Sequence, residues 1–271
     1  MIGRTCTARN PRYTFYNLIF FSIIVPAFNE ERRLPGALPK MVSFLDRFGR
    51  QLVEVLVVDD GSTDGTASLV RKFAERDRRF RLLSNPGNRG KGYAIRQGML
   101  AAKGEWRLMT DADLSTPLEE FGKLYETAQS QTAAIVIGSR ALNRALVSKR
   151  QALLRDLGGR FFNLVMRLLT GLPFADTQCG FKLYRADAAE ALFSRQVLDG
   201  FSFDVEALFI ARKLGYKILE IPVRWANVEG TKVTTAATVR AVLDLWRIRR
   251  FAWAGRYDQS PSPVAVGAIK L

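Results

Sequence analysis

The chain has 271 residues, no histidine, and a formal net charge of +15 at pH 7 that reflects 41 Lys and Arg residues against 26 Asp and Glu residues. Without histidine there can be no histidine general base, no Ser-His-Asp triad and no zinc site built on imidazole, so carboxylates, lysines, arginines or a carboxylate-bound metal must carry any chemistry. The basic surplus favours a polyanionic partner: nucleic acid, a phosphorylated substrate or an anionic membrane surface.

The chain begins with a basic segment, residues 1–16, that we predict to be a disordered tail. The apolar run Leu18–Phe28 follows, interrupted by Ser22 and Pro26, and it predicts a strand. No segment reaches the ~20 uninterrupted apolar residues of a membrane-spanning helix. We predict that residues 257–271 form a second tail.

Strands and helices alternate through the first half of the sequence. Strands are predicted in "LIFFSIIVPAFN", "VEVLVVDD", "FRLLS", "EWRLMTDAD" and "AAIVIGSR". The intervening helices are predicted over Leu34–Phe48, from a cap at Ser62 or Thr63 to Glu75, over Gly92–Ala102 and over Pro117–Gln129. Because the strands are apolar on both faces, the pattern predicts an α/β fold in which helices cover both faces of a mostly parallel sheet.

The second half is less regular. "FKLYRADAAEALF" predicts a strand followed by a helix, and a further helix begins near Asp204. "KILEIPVRWA" predicts an edge strand because it contains a proline. Thr234–Trp253 is the last predicted helix. We divide the chain between its tails into one domain over 17–232 and an amphipathic helix over 233–256.

Two adjacent carboxylates, Asp59 and Asp60, end the second strand in "VLVVDDGSTDGT". Like charges in contact are unfavourable unless a cation or a donor-rich ligand lies between them. Ligands of parallel sheets bind outside the carboxyl ends of the strands. Asn29, Asp111–Asp113 and Arg140 also follow predicted strands, so we expect all of these side chains to cluster around a ligand.

The segment "TDADLSTP" places Asp111 and Asp113 one residue apart at a strand end. In an extended chain residues i and i+2 project to the same side, so the two carboxylates could converge on one hard divalent cation, Mg²⁺ or Mn²⁺. The alternative is that an Asp-x-Asp segment only caps a turn.

The segment "NPGNRGKGYA" is rich in glycine and precedes a predicted helix. It lacks the spacing of a P-loop, because glycine follows Lys91. Lys91 and the helix N-terminus can receive an anion, or the segment is a solvated turn.

Six motifs together resemble a known family. "SIIVPAFNE", "VLVVDDGSTDGT", "NRGKGYAIRQGM", "TDADLSTP", "GSR" and "DTQCGFKLYR" follow the order found in family 2 glycosyltransferases of the GT-A fold. The resemblance covers about residues 19–250 and is strongest to dolichyl- and polyprenyl-phosphate hexosyltransferases. "DTQCGFK" looks like the dolichyl-phosphate β-glucosyltransferase branch.

The resemblance implies a role for each candidate residue. The base and ribose of a nucleotide sugar would be held by Pro26, Ala27, Asn29, Glu30, Asp59 and Asp60, with Lys91 near the donor. Asp111 and Asp113 would position the diphosphate through Mg²⁺ or Mn²⁺, with Asp113 the more direct ligand. The phosphates of donor or acceptor would be met by Arg140, Arg155 and Lys232. Asp204 and Glu206 would lie on the acceptor side, or would cap a helix and orient Lys232 or Arg224.

The implied reaction is metal-dependent, inverting transfer of a hexose to polyprenyl phosphate, with glucose from UDP-glucose as the predicted donor. The alternatives are a mannosyltransferase that uses GDP-mannose and a transferase with a protein or glycan acceptor. A non-catalytic nucleic-acid-binding protein would explain the charge but not the carboxylates at the strand ends, so no nucleic-acid partner is predicted.

Two helices bear on membrane binding. In each, a polar stripe accompanies bulky apolar residues: Asp156, Arg160, Asn163 and Arg167 in the first, Arg240, Asp244 and Arg247 in the last. A wide apolar arc with cations and tryptophans suits a helix in the bilayer interface, whereas the alternative is a helix packed in the core. We therefore predict a protein bound peripherally to the cytoplasmic face of a membrane.

Overall fold

The computed structural model of the protein describes residues 20–48, 53–149, 163–228 and 235–258, with the backbone alone at 149, 235–240 and 242. The strands are Phe21–Ala27 (β1), Val53–Asp59 (β2), Phe80–Ser84 (β3), Trp106–Met109 (β4), Ile135–Ser139 (β5), Val147–Lys149 (β6), Lys182–Arg185 (β7), Ile218–Pro222 (β8) and Trp225–Ala226 (β9). The helices are Leu34–Leu45 (α1), Thr66–Arg76 (α2), Lys91–Ala101 (α3), Phe121–Ser130 (α4), residues 163–170 (α5), Ala186–Phe193 (α6), Phe203–Lys213 (α7) and Thr235–Trp253 (α8).

Seven of these strands form one sheet in the order β3-β2-β1-β4-β7-β5-β8. All neighbouring pairs are parallel except those of β7, which runs antiparallel to β4 and to β5. The prediction of a mostly parallel sheet is confirmed, and so is the proline-containing edge strand, which is β8. Because β7 is reversed, its first residue lies at the edge where the parallel strands end.

Helices cover both faces of the sheet, and alternate residues of each strand enter different cores. Phe21, Ile23 and Val25 of β1 face a core closed by α1 and α4, where the rings of Phe21 and Phe121 stack with centroids 4.5 Å apart. Ile24 faces the opposite core, which α3, α6, α7 and α8 close. Burial on both faces explains why the strands are apolar throughout.

Several predicted boundaries differ from the structure: α1 ends at Leu45 and not at Phe48, and α4 begins at Phe121 and not at Pro117. Helix α2 begins at Thr66 and is not capped by Ser62 or Thr63, because the Asp64 carboxylate accepts the Thr66 N–H at 3.0 Å. Tyr257, assigned to the C-terminal tail, is fully buried. The tail predicted over 1–16 lies outside the described residues.

Candidate active site

Short polar side chains join the loops that follow β1 and β2. Asn29 has a left-handed backbone (φ +53) and donates its N–H to Ser62 Oγ at 2.9 Å, while its Oδ1 accepts the Thr63 N–H at 2.9 Å. The Glu30 N–H donates to Thr66 Oγ1 at 2.8 Å. These contacts give the two loops a common wall at the carboxyl edge of the sheet.

Asp59 is the last residue of β2 and is buried beside the end of β1, where Pro26 and Ala27 pair with Val58 and Asp59. Its carboxylate accepts the Ser62 N–H at 3.2 Å through Oδ1. Oδ2 accepts no hydrogen bond from the described residues. Asp59 can therefore offer a carboxylate oxygen to a ligand.

Asp60 has a different environment from its neighbour. Its carboxylate accepts the Asn85 side-chain amide at 2.8 Å, the Gly90 N–H at 2.7 Å, and the Arg89 N–H through both oxygens at 3.1 and 3.2 Å. These contacts engage both oxygens of the Asp60 carboxylate, whereas Asp59 has one oxygen without a hydrogen bond from the described residues. Asp60 therefore fastens the glycine-rich loop over 85–90, and its predicted contact with the nucleotide stays a prediction.

Lys91, the first residue of α3, contacts Asp111, with Nζ 2.7 Å from Oδ1. Burial alone would raise the pKa of the Asp111 carboxyl, but Lys91, followed by Lys182 and Arg140, outweighs burial and lowers that pKa below its ordinary value. Burial alone would lower the pKa of Lys91, but Asp111 and then Asp204 raise it above its ordinary value. Both members of this pair are therefore charged at neutral pH.

Asp113 lies in a turn, because β4 ends at Met109 and the Leu114 N–H donates to Asp111 O at 3.1 Å. The extended conformation predicted for this segment is wrong. Asp113 Oδ1 accepts the N–H and the hydroxyl of Ser115 at 2.9 and 2.6 Å, as the turn-capping alternative predicted. Asp113 Oδ2 accepts no hydrogen bond from the described part of the chain and can bind a ligand.

Arg140, which follows β5, forms a two-pronged pair with Asp176. Its Nε and Nη2 donate to Oδ2 and Oδ1 at 2.7 and 2.8 Å, and its guanidinium lies 5.5 Å from the centre of the Trp225 ring. Burial would lower the pKa of Arg140, but Asp176 raises it above the ordinary value. Asp176 is itself fixed, because its N–H donates to the Glu220 carboxylate at 2.7 Å. Arg140 is thus a permanent cation beside Asp111.

Lys182 and Asp204 form an ion pair beneath the Lys91–Asp111 pair. Lys182 is fully buried and donates to the Cys179 carbonyl at 2.6 Å and to the carboxylate of Asp204, in the first turn of α7. Burial raises the pKa of Asp204, against the effects of Lys182 and Lys91. Asp204 belongs to the cluster through its ion pair with Lys182.

Glu206 lies outside that cluster. Its carboxylate accepts the N–H groups of Val197 and Leu198 at 3.1 and 2.8 Å and the hydroxyl of Tyr257 at 2.8 Å. Burial raises its pKa to about 7 despite these donors. The predicted acceptor-side role of Glu206 is corrected, because this enclosed side chain holds a loop and the end of the chain's last described segment.

The sequence analysis did not name three residues of the cluster individually, although all three belong to the motif "DTQCGFK". Asp176 orients Arg140, Lys182 pairs with Asp204, and Gly180 leaves room for Asp111. The sequence does contain a signal for these residues, because the motif places polar and small residues before and at the start of an apolar strand. That signal indicates a site only once the reversed direction of β7 is known. Arg155 and Lys232 lie outside the described residues.

The cluster is electrically balanced: Lys91, Arg140 and Lys182 face Asp111, Asp176 and Asp204. An incoming diphosphate therefore finds no surplus cation among these six side chains, and Asp113 adds a further negative charge. Within the described ranges, no group of three or more potential ligands surrounds a common point. Mg²⁺ sites commonly use one or two carboxylates with waters and substrate phosphates, and Asp111 with Asp113 fits that donor set.

Comparison with known proteins supports a nucleotide-sugar site. The family model "Glycosyl transferase family 2" matches residues 22–193. A dolichyl-phosphate β-glucosyltransferase of Trichomonas vaginalis is 37% identical over 241 residues, 86% of this chain and 74% of that protein. The dolichyl-phosphate β-glucosyltransferase of Homo sapiens is 36% identical over 224 residues, 78% of this chain and 69% of that protein.

Among solved structures, glucosyl-3-phosphoglycerate synthase from Mycobacterium tuberculosis is similar, with a TM-score of 0.63 and 19% identity over 97% of this chain and 88% of that chain. That protein was solved with Mn²⁺, UDP and glucosyl-3-phosphoglycerate. At this identity the likeness concerns the fold, and it confirms the predicted GT-A architecture.

Proposed function

Because this chain belongs to glycosyl transferase family 2, we propose that it transfers glucose from UDP-glucose to dolichyl phosphate or a related polyprenyl phosphate. The observation that carries the proposal is its similarity, along most of its length, to dolichyl-phosphate β-glucosyltransferases of distant organisms. The charged cluster at the carboxyl edge of the sheet supports it, because phosphates are the common feature of both substrates.

The chemistry requires an attack of one phosphate on a sugar carbon. An oxygen of the acceptor phosphate forms a bond to C1 of glucose, the bond from C1 to the diphosphate breaks, and UDP leaves with the electron pair. The configuration at C1 inverts, which gives a β-linked product from the α-linked donor. The acceptor is already an anion at neutral pH, so no general base is needed, and the absence of histidine is no obstacle.

The donor's diphosphate would lie near Lys91, the first residue of α3, and Asp111, which follows β4. Asp111 and Asp113 would hold a divalent cation, Mg²⁺ or Mn²⁺, which when bound offsets charge on the departing UDP. When the donor binds, Lys91 can donate a hydrogen bond to a phosphate oxygen in place of the one that it donates to Asp111. Arg140 Nη1 makes no hydrogen bond to the described residues, so it can donate to a phosphate while Asp176 holds the rest of the guanidinium.

The uridine would lie against the wall made by the loops after β1 and β2. Asp59 Oδ2 supplies a buried acceptor for a base N–H or a ribose hydroxyl. Asn29 and Glu30 shape this wall through their contacts with the 62–66 loop. Asp60 acts one step further away by holding the glycine-rich loop that leads to Lys91.

The acceptor's lipid tail requires contact with a bilayer, and two helices carry exposed apolar side chains. These are Leu164 and Leu168 on α5, and Leu243, Trp246 and Trp253 on α8. The opposite sides of the same helices are buried at Met166 and at Leu245 and Ile248, so each helix packs one side in the core and leaves the other side exposed. In the described ranges, none of the helices combines the length and hydropathy needed to cross a membrane. We propose that the exposed apolar side chains of α5 and α8 lie against the cytoplasmic face of a membrane.

A direct assay tests the proposal. The full chain is incubated with Mn²⁺ or Mg²⁺, a short polyprenyl phosphate and one labelled donor at a time, UDP-glucose or GDP-mannose. We expect labelled glucose in the lipid fraction, none with the unphosphorylated polyprenol, and loss of product in EDTA. Mannose transfer without glucose transfer would replace the proposed donor, and no transfer from either donor would overturn the proposal.

A further inference from the structure

We infer that Lys182 and Asp204 form a positioning pair that keeps Lys91 beside Asp111 at the mouth of the site, where it can meet the donor's diphosphate. This inference rests on the proposed function, and it concerns two side chains that lie beneath the site and need not contact either substrate.

The position of Lys182 follows from the reversed strand. As the first residue of β7, Lys182 pairs with Met109 at the end of β4 and with Ile137 of β5. Its backbone is therefore fixed at the centre of the sheet, and its ammonium can reach only inward, to the Cys179 carbonyl and the Asp204 carboxylate. Lys182 is fully buried, so water cannot replace either partner.

Lys91 lies within the fields of three carboxylates, Asp111, Asp204 and Asp113, and Lys182 compensates the second of them. Asp111 attracts it most strongly and directly, at 2.7 Å, and Asp204 attracts it next. Asp204 is already compensated by Lys182. Without the Lys182 charge, Asp204 would be an unpaired, buried carboxylate, and the cation that acts on it most strongly after Lys182 is Lys91. Lys91 would then move inward, away from Asp111 and from the donor.

Stability alone is a weak reason for this buried pair. The desolvation of two charges often equals or exceeds their attraction, and well-packed apolar residues of similar volume are often as stable. A pair that only supported the fold would thus have no particular effect on ligands. A pair that sets the position of Lys91 must affect donor binding, and the effect must disappear when both charges are removed together.

The experiment compares Lys182→Met with the double variant Lys182→Met/Asp204→Asn, using UDP with Mn²⁺ as the calorimetric probe and a thermal melt for each protein. We expect Lys182→Met to raise the Kd by about tenfold or more, which corresponds to ~1.4 kcal/mol. The double variant should return to within about threefold of the wild type, because Lys91 is no longer drawn to residue 204.

Arg107→Met is the matched control. Arg107 is also a buried cation on a central strand, β4, and its Nη2 lies 2.7 Å from Glu190, but it belongs to the start of the strand. We expect this variant to lower the melting temperature without changing the Kd for UDP and Mn²⁺.

Three results would overturn the inference. The first is a folded Lys182→Met protein that binds UDP and Mn²⁺ as the wild type does. The second is a double variant that binds UDP and Mn²⁺ no better than Lys182→Met does. If Lys182→Met does not fold, the corresponding result is a folded double variant whose Kd is more than about threefold above that of the wild type. The third is a wild-type protein that binds no UDP with Mn²⁺, which removes the proposed function as well and is thereby distinguished from the other two.

Discussion

Gly180 lies so close to Asp111 that a Cβ at residue 180 would stand 2.0 Å from Asp111 Oδ2. No real side chain tolerates that distance, so an alanine there must push the carboxylate away. The backbone before β7 therefore forms one side of the cavity that holds Asp111, and Lys91 holds the other carboxylate oxygen.

We expect Gly180→Ala to weaken the binding of UDP with Mn²⁺ by about tenfold or more, because Asp111 can no longer occupy its position between Lys91 and the sheet. Calorimetry measures the change. Gly200→Ala is the control, because nothing lies within 4 Å of a Cβ at that position. Equal affinity of the two variants would show that the position of Asp111 does not matter to the donor.

Asp59 and Asp60 should separate into a binding residue and a structural residue. Asp59→Asn should weaken UDP binding by about 1–3 kcal/mol and leave the melting temperature unchanged, because its Oδ2 accepts no hydrogen bond from the described residues. Asp60→Asn should lower the melting temperature, because an amide nitrogen must then face the N–H groups of Arg89 or Gly90. Calorimetry and thermal melts on both variants check the assignment, and a reversed pattern would contradict it.

The sequence predicts the sheet and the strand-end clustering well, because apolar strands that alternate with helices leave few arrangements open. Hydrogen-bond partners are a different matter. Nothing local distinguishes Asp59 from Asp60, since the difference arises from a loop that begins at Asn85, 25 residues later. Likewise, Lys182 looks like a surface lysine until the direction of β7 is known. Long-range contacts of this kind are fixed by topology and not by the neighbouring sequence.

Asp113→Asn tests the metal. The asparagine keeps an Oδ1 that can accept the Ser115 N–H, so the turn survives, but the negative charge on the free oxygen is lost. We expect Mn²⁺ to increase the affinity for UDP by a factor that is at least about ten times smaller in the variant than in the wild type. The affinity for UDP in EDTA should change little. Ser115→Ala, which disturbs the turn and keeps the charge, is the control. Full Mn²⁺ dependence in Asp113→Asn would exclude Asp113 as a ligand.

Glu206 should make stability depend on pH. Its folded pKa of about 7 lies above the ordinary value of 4.5, so the folded state binds a proton more readily than the unfolded state between these pH values. Stability should therefore fall as the pH rises from about 4.5 to about 7, by at most ~3 kcal/mol, and then level off.

Denaturant unfolding of the wild type and of Glu206→Gln at pH 5 and pH 7.5 measures this effect. The variant cannot ionise at residue 206. The wild type should therefore lose more stability than the variant between pH 5 and pH 7.5, and the excess is the contribution of Glu206. Tyr257→Phe keeps the carboxyl but removes a hydrogen bond that lowers its pKa, so this variant should retain the pH dependence and extend it to higher pH. An identical pH dependence in the wild type and Glu206→Gln would contradict the assignment.

The exposed side of α8 should bind the bilayer. Leu243, Trp246 and Trp253 are 62, 54 and 70% exposed and follow a spacing of three and seven residues, so they lie on one stripe, whereas Leu245 is fully buried. Such a stripe beside arginines suits the interface of an anionic membrane, where each cation contributes ~1 kcal/mol.

We expect Leu243→Ser/Trp246→Ser to release the protein from phosphatidylserine-containing liposomes and to leave the melting temperature unchanged. Transfer to a long-chain acceptor in liposomes should fall more than transfer to a short, water-soluble one. Leu245→Ala is the opposite case, because removing a buried leucine destabilises a protein by about 2–5 kcal/mol, and the folded fraction should still bind liposomes. If the double variant stays folded and bound to liposomes, α8 does not face the membrane.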